Sequence, residues 1–264
     1  MNSTEDLEHA RQLLTTAWAG RSLEIVAETD STNDDAKRSA AKGAVHGHTI
    51  VADHQRRGRG SHGRSWVSPA GVDLYVSVVT RLPVPLVELP PVTLAVGMAV
   101  LRVVDEITGH TRAAIKWPND IVLAGRKCAG ILVETATSND IGQAGNATTA
   151  IVGIGLNVNR DEFPPELAAR ATSLRIARNA SCHRGSILAS VLRALEEELD
   201  AFVLGGAKPL AARVGERLGG RGQRITLDGE PAQLVGVAPS GALRVERDGQ
   251  VTEHVAGTLV IDEA

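Results

Sequence analysis

An α+β fold in two parts is predicted for this chain, and three observations predict it. Strand-like and helix-like stretches interleave from Leu23 to Leu218 around one strongly apolar helix at Val92 to Ile107. After Gly219-Gly220 the pattern changes abruptly to short alternating runs punctuated by Asp228-Gly229, Ser240-Gly241 and Asp248-Gly249, the turn chemistry of hairpins. A length of 264 residues with 43% hydrophobic content suits one large domain and one small one. The expectation is a mixed β-sheet with flanking helices over residues 1–218 and a small β-barrel over residues 219–264.

The elements follow in order. Ser3 to Ala19 reads as a helix, with a hydroxyl cap, Glu5 and Asp6 in the first turn, and Leu7, Ala10, Leu14 and Trp18 on one face. Leu23 to Ala27 is strand-like, the Ser31 segment is a loop, and Asp34 to Ala41 is helical, so Ser31-Thr32-Asn33 can also serve as its N-cap. Strands surround a basic loop at 58–66, namely the apolar run Thr49 to Ala52 and the stretch Val72 to Val79. After the apolar helix, strands are expected near 113–123, 127–136 and 148–157, with polar Ser138 to Asn146 as a hairpin tip. Helical periods return at Arg184 to Leu204 and Pro209 to Leu218.

Three segments carry chemistry. The first is Gly58-Arg59-Gly60-Ser61-His62-Gly63-Arg64-Ser65-Trp66, where glycines permit close backbone approach and arginines supply forks for carboxylate and phosphate oxygens. Its spacing formally matches the dinucleotide fingerprint, but that motif needs a helix at once and an acidic residue about 20 positions on. Here Ser65 to Gly71 is turn chemistry and Glu88 comes too late, so a nicotinamide or flavin fold is set aside. The second segment is Lys116-Trp117-Pro118-Asn119-Asp120, where proline ends a strand in a rigid turn. The third is Arg126 to Glu134, where Lys127 enters the interior from the rim. Only 2% of the chain is aromatic, yet two of its three tryptophans lie in these basic turns, where an indole suits stacking on a flat ring.

Composition narrows the function classes. With 28 basic against 31 acidic residues, a general nucleic-acid surface is not indicated, which also weakens an RNA-binding role for the arginine loop. Two cysteines, Cys128 and Cys182, without metal spacing fit free thiols in a reducing cytosol. No signal peptide is apparent, and no apolar stretch is expected to reach the roughly 18 residues of a membrane span, so a soluble cytoplasmic protein is expected.

Taken together, the residues resemble the biotin protein ligases. Five motifs in register carry the resemblance from about residue 22 to the C-terminus: Asp30-Ser31-Thr32-Asn33, the Gly/Arg loop with Trp66, Lys-Trp-Pro-Asn-Asp, Lys127 with Ala129 to Glu134, and Gly153-Ile154-Gly155-Leu156-Asn157. The resemblance implies a biotin/lipoate ligase-like catalytic domain, a C-terminal SH3-like barrel, and a two-step reaction. Biotin and ATP give biotinyl-5′-AMP, and a lysine of a biotin carboxyl carrier protein then takes the biotinyl group. It implies Lys127, with Arg59 and Arg64, for the carboxylate and α-phosphate. Ser31, Thr32, Asn33 and Gln55 would hold the ureido ring, and Gly130, Gly153 and Gly155 would allow close approach. Gly58, Gly60, Ser61 and Gly63 belong to the loop. Trp66, Asn119 and Asn157, with Lys116, would define the nucleotide side. Asp120 could hold magnesium or simply cap a turn.

Only about 22 residues precede the first core strand, so no DNA-binding module is expected, and the resemblance suggests a monomer or weak homodimer. Ser61 stands where many relatives have another arginine, which implies looser retention of biotinyl-AMP unless Arg57, His62 or another cation substitutes. Two rival functions are a lipoate or octanoate ligase or transferase, and a non-catalytic biotin-binding regulator.

Overall fold

The computed structural model describes residues 4–109, 113–136 and 147–261, so the expected hairpin tip at Ser138 to Asn146 lies outside the described residues. Seven strands form one mixed sheet in the order β1-β2-β3-β7-β6-β5-β4. They are β1 (Leu23–Thr29), β2 (Thr49–Gln55), β3 (Leu74–Leu82), β4 (Ala113–Lys116), β5 (Asp120–Leu123), β6 (Arg126–Thr135) and β7 (Thr148–Leu156). β1 and β2 run parallel because α3 (Thr32–Ala41) returns the chain between them, and the other neighbouring pairs are antiparallel.

Strand alternation sorts the core. Val76, Val78 and Val152 join the larger cluster with α4 (Leu89–Thr108) and α7 (Arg184–Gly205), whereas Val79 and Ile151 pack with Ala36 and Ala40 of α3. Adjacent strand residues point to opposite faces, so α3 covers one face and α4 with α7 the other. With its preceding turn, α4 spans Leu86–Thr108, 23 residues that include an 18-residue stretch with a mean hydropathy of 1.7, long and apolar enough to cross a membrane. This corrects the expectation that no stretch reaches that length. Its position between the sheet and α7 requires an apolar surface nearly all round.

The first helix is shorter than its periodicity predicts. Two single turns, α1 (Glu5–Glu8) and α2 (Ala10–Leu13), stand in place of a helix to Ala19. Leu7 and Ala10 still face the core. Beyond Leu13, however, the N–H groups of Ala17, Trp18 and Ala19 donate to the Glu196 carboxylate at 2.7–2.8 Å, and a charged tertiary acceptor displaces helical carbonyls. Trp18 is therefore not a helix-face residue. Its ring lies 4.1 Å from His46 and its Nε1 donates to Asp200 at 3.2 Å.

The strand expected over 113–123 is a hairpin, with β4 and β5 folded at Trp117-Pro118-Asn119 and Lys116 opposite Asp120. Two short helices, α5 (Pro165–Ala168) and α6 (Leu174–Arg178), were too brief to show a period in the sequence. α8 (Ala207–Glu216) then leads to Leu218 and Gly219, which pair with the free edge of β4 through Ile115.

The expected C-terminal strands form a five-stranded antiparallel, SH3-like sheet of β8 (Arg224–Leu227), β9 (Glu230–Val237), β10 (Leu243–Arg247), β11 (Gln250–His254) and β12 (Leu259–Ile261). The turns at Asp228-Gly229 (φ 54° and 86°) and Asp248-Gly249 (φ 51° and 77°) are left-handed at both positions, as two-residue hairpins require. Trp117 joins this sheet to the large one. It is buried, and its Nε1 donates to Gly241 O at 2.9 Å, so its indole serves packing and not ligand stacking as its basic turn suggested.

Candidate active site

A missing row of side chains makes the cavity. Gly153 and Gly155 point to the same face as Ile151, the face that α3 covers, and Gly130 of β6 lies directly opposite Gly155. Ile151 fills the space beneath α3, but the glycines beyond it leave a hollow of about 470 Å³. A Cβ at Gly153 would sit 2.2 Å from Asn33 Oδ1, one at Gly155 would sit 2.5 Å from Trp66 Cε2, and one at Gly130 would sit 2.9 Å from Trp66 Cζ3. Asn33 and Trp66 thus occupy the room that the glycines vacate.

One end of the hollow is polar and internally bonded. Ser31 occupies the N-cap position of α3, but its side chain makes no capping bond and lines the cavity. The Thr32 N–H and hydroxyl donate to Gln55 Oε1 at 2.9 and 3.1 Å, and Gln55 Nε2 donates to Ser68 Oγ at 2.9 Å. Ser77 Oγ bridges Asn33 Oδ1 (2.6 Å) and Thr32 Oγ1 (2.8 Å), while Asn33 Nδ2 donates to Glu134 Oε2 at 2.8 Å. Glu134 also receives Lys37 Nζ at 2.7 Å and Arg59 Nη2 at 2.6 Å, and Arg59 reaches Asp34 at 2.8 Å. Burial pushes the Glu134 carboxyl up, but hydrogen bonds from Lys37 and Asn33 and the Arg59 charge outweigh it and hold it below its ordinary value. Arg59, expected with Lys127 at the phosphate, instead clasps α3 to β6 across this end.

The other end is cationic. Lys127 Nζ lies 2.6 Å from Asp120 Oδ1 and 5.2 Å from the centroid of the Trp66 ring. Its backbone is fixed on both sides, since Lys127 N donates to Arg170 O at 2.8 Å and Lys127 O accepts from Thr172 N at 2.9 Å. Two buried side-chain atoms here lack an aligned hydrogen-bond partner, Trp66 Nε1 and Asp120 Oδ1, the second being close to Lys127 in distance only. Lys116 also lines this end, and Arg64 does so at the mouth, bonded to Ser61 O and Oγ at 3.2 and 2.9 Å. Asn119 and Asn157 line it too, but their amides are committed to the fold. Asn119 Nδ2 donates to Ile131 O, and Asn157 Nδ2 donates to Lys127 O and Thr172 O.

The loop closes on itself. Trp66 N donates to Gly58 O at 2.8 Å, and Gly60 N donates to Arg64 O at 2.7 Å. His62 (φ 56°) and Gly63 (φ 72°) turn the chain through left-handed backbone. Gly60 and Ser61 line the cavity. Gly58 does not, being packed beneath Trp66 O and Ser68 where a Cβ would come within 2.4–2.6 Å, and neither does Gly63 at the outer turn.

Sequence reasoning missed further lining residues, among them Arg160, Phe163 and Arg170. A signal existed for Phe163, one of only two phenylalanines in the chain, because the scarcity that drew attention to the tryptophans applied to it as well.

The model of the biotin/lipoate A/B protein ligase family matches residues 26–157. The chain is 35% identical to the bifunctional ligase/repressor BirA of Bacillus subtilis over 68% of its own length and about half (54%) of that protein's. It is 34% identical to the biotin–(acetyl-CoA-carboxylase) ligase of Mycobacterium tuberculosis over 96% of its length and 91% of that protein's. Among solved structures, the biotin protein ligase of Aquifex aeolicus in complex with biotin and ATP superposes with a TM-score of 0.77 at 29% identity, covering 92% of this chain and 100% of that one.

Proposed function

The chain belongs to the biotin/lipoate A/B protein ligase family, and from that premise we propose that it is an ATP-dependent biotin–protein ligase acting on a lysine of a biotin carboxyl carrier protein. The observation that carries this reading is one cavity with two unlike ends, a hydroxyl- and amide-lined end above Gly153 and a cationic end at Lys127. Such a cavity suits a molecule with a neutral polar ring at one end, an apolar body and a carboxylate at the other. Biotin has that shape. The dithiolane of lipoate and the methyl of octanoate offer no N–H or C=O to Ser31, Thr32, Asn33 and Gln55.

In the first step a carboxylate oxygen of biotin attacks the α-phosphorus of ATP, and the bond to pyrophosphate breaks. In the second, the acceptor lysine's amine attacks the acyl carbon, AMP leaves, and the amine loses a proton. The obstacle to the first step is the approach of one anion to another, which fixed positive charge relieves. Lys127 would supply that charge, its backbone being clamped on both sides, and Asp120 would hold its ammonium until phosphate oxygens replace the carboxylate. Trp66 walls the nucleotide side. Magnesium entering with ATP would screen the phosphates further, and Asp120 would be the carboxylate to meet it. Among the described residues, no group of three or more His, Cys, Asp and Glu side chains is gathered as a resident metal site.

Two finer points belong to the same proposal. Cys128 and Cys182 are free thiols, and burial pushes the Cys128 thiol up to about 12, which suits a reducing cytoplasm and an inert core cysteine. Ser61 lacks the frequent arginine, yet its hydroxyl accepts from Arg64, which brings a cation to the same spot. Adenylate release measured beside Ser61→Arg separates the two readings, because equal off-rates mean that Arg64 already does the work.

ATP–pyrophosphate exchange with biotin, lipoate or octanoate as the only acid tests the function. Exchange with biotin alone is expected. Exchange with either other acid moves the chain to a neighbouring activity, and tight biotin binding without exchange leaves a regulator.

A further inference from the structure

Arg160 follows β7 and is 6% exposed, at the wall of the cationic end. Its Nε donates to Asp73 Oδ2 at 2.5 Å, its Nη2 donates to Val67 O, and its guanidinium carbon lies 5.3 Å from the Phe163 ring centroid. Asp73 is fully buried, and its other oxygen accepts from Val158 N at 2.8 Å. Val67 immediately follows Trp66. One peptide nearer the indole, Trp66 O accepts from Ser68 Oγ, which Gln55 holds, and before the indole Trp66 N donates to Gly58 O. The two peptides that follow Trp66 are therefore tethered, the first to the polar end of the cavity and the second to a buried ion pair.

Resting on the ligase reading above, we infer that Arg160 is a positioning residue: its fork, set by Asp73 and closed on Val67 O, holds Trp66 on the glycine floor and so shapes the nucleotide end. The geometry requires arginine. Two N–H groups in one rigid plane reach a carboxylate and a carbonyl together, whereas a lysine ammonium would keep the charge pair and lose the carbonyl. Arg160→Ala would strand the Asp73 charge in the core and risks unfolding the chain for that reason alone. Two gentler variants avoid this. Arg160→Lys retains the pair, and the double variant Asp73→Asn with Arg160→Met removes both charges together.

Both variants should raise the KM for ATP by about tenfold, the loss expected for a hydrogen bond from a charged group, while biotin affinity without ATP stays within about twofold. Acrylamide quenching of tryptophan fluorescence should rise in both, and Trp66→Phe in the same backgrounds should abolish the rise. Unchanged quenching overturns the inference, as does a parallel loss of ATP and biotin affinity. If the wild-type chain shows no exchange with any acid, the ligase reading fails, and the quenching comparison still decides whether Arg160 holds Trp66.

Discussion

The two ends of the cavity are built on opposite principles. At the polar end, Thr32, Asn33, Gln55 and Ser77 satisfy one another before any ligand arrives, and the Arg59–Glu134 clasp lies across them. At the cationic end, Trp66 Nε1 is buried without a partner, and Lys127 is held by a carboxylate that an incoming anion can replace. A buried polar group left unpaired is costly, and at this end an incoming ligand can remove that cost. On the proposed ligase reading, the polar end would be preorganised to recognise shape and the cationic end would keep charge for the reaction.

Lys127→Ala breaks this contrast with the largest effect. Pyrophosphate exchange should fall by about 10²–10³, the usual loss for one preorganised charged donor, while biotin still binds at the other end. Full activity in that variant would remove Lys127 from the chemistry.

A pair of glycine substitutions sharpens the comparison. Gly153→Ala drives a methyl onto Asn33, and Gly155→Ala drives one onto Trp66. Each should weaken binding by at least about tenfold, the first for biotin and the second for ATP, because overpacking a close contact displaces the neighbour. If both variants lost the same ligand, the cavity would not have two separable ends. Calorimetric titration with each ligand alone reads the outcome.

The clasp should have the smallest effect. Its members are partly exposed, so Glu134→Gln should speed biotin release only about twofold to fivefold. The sign of its pH dependence follows from the depressed Glu134 value. The carboxylate is ionised from about pH 5 upward, and the clasp is lost only as pH falls through its lowered pKa. Stopped-flow biotin release should be flat between about pH 5 and 8 and faster below, and Glu134→Gln should flatten the acid limb.

Much was legible from neighbours in the sequence. The strands β3 and β7, the apolar period of α4 and the Asp-Gly turns declare themselves within a few positions, because steric preference and periodicity are local properties, while the glycines at 130, 153 and 155 were legible only through the family resemblance. The local signals predicted the mixed sheet and the second small sheet, and the resemblance implied the glycine floor of the cavity. The partner of a side chain is not a local property. Glu196 ended the first helix, Gly241 took Trp117 from across 124 positions, and Arg59 met Glu134 instead of standing free. Those outcomes depend on which donors and acceptors the finished fold brings within hydrogen-bond distance, and Arg160 between Asp73 and Val67 is decided the same way.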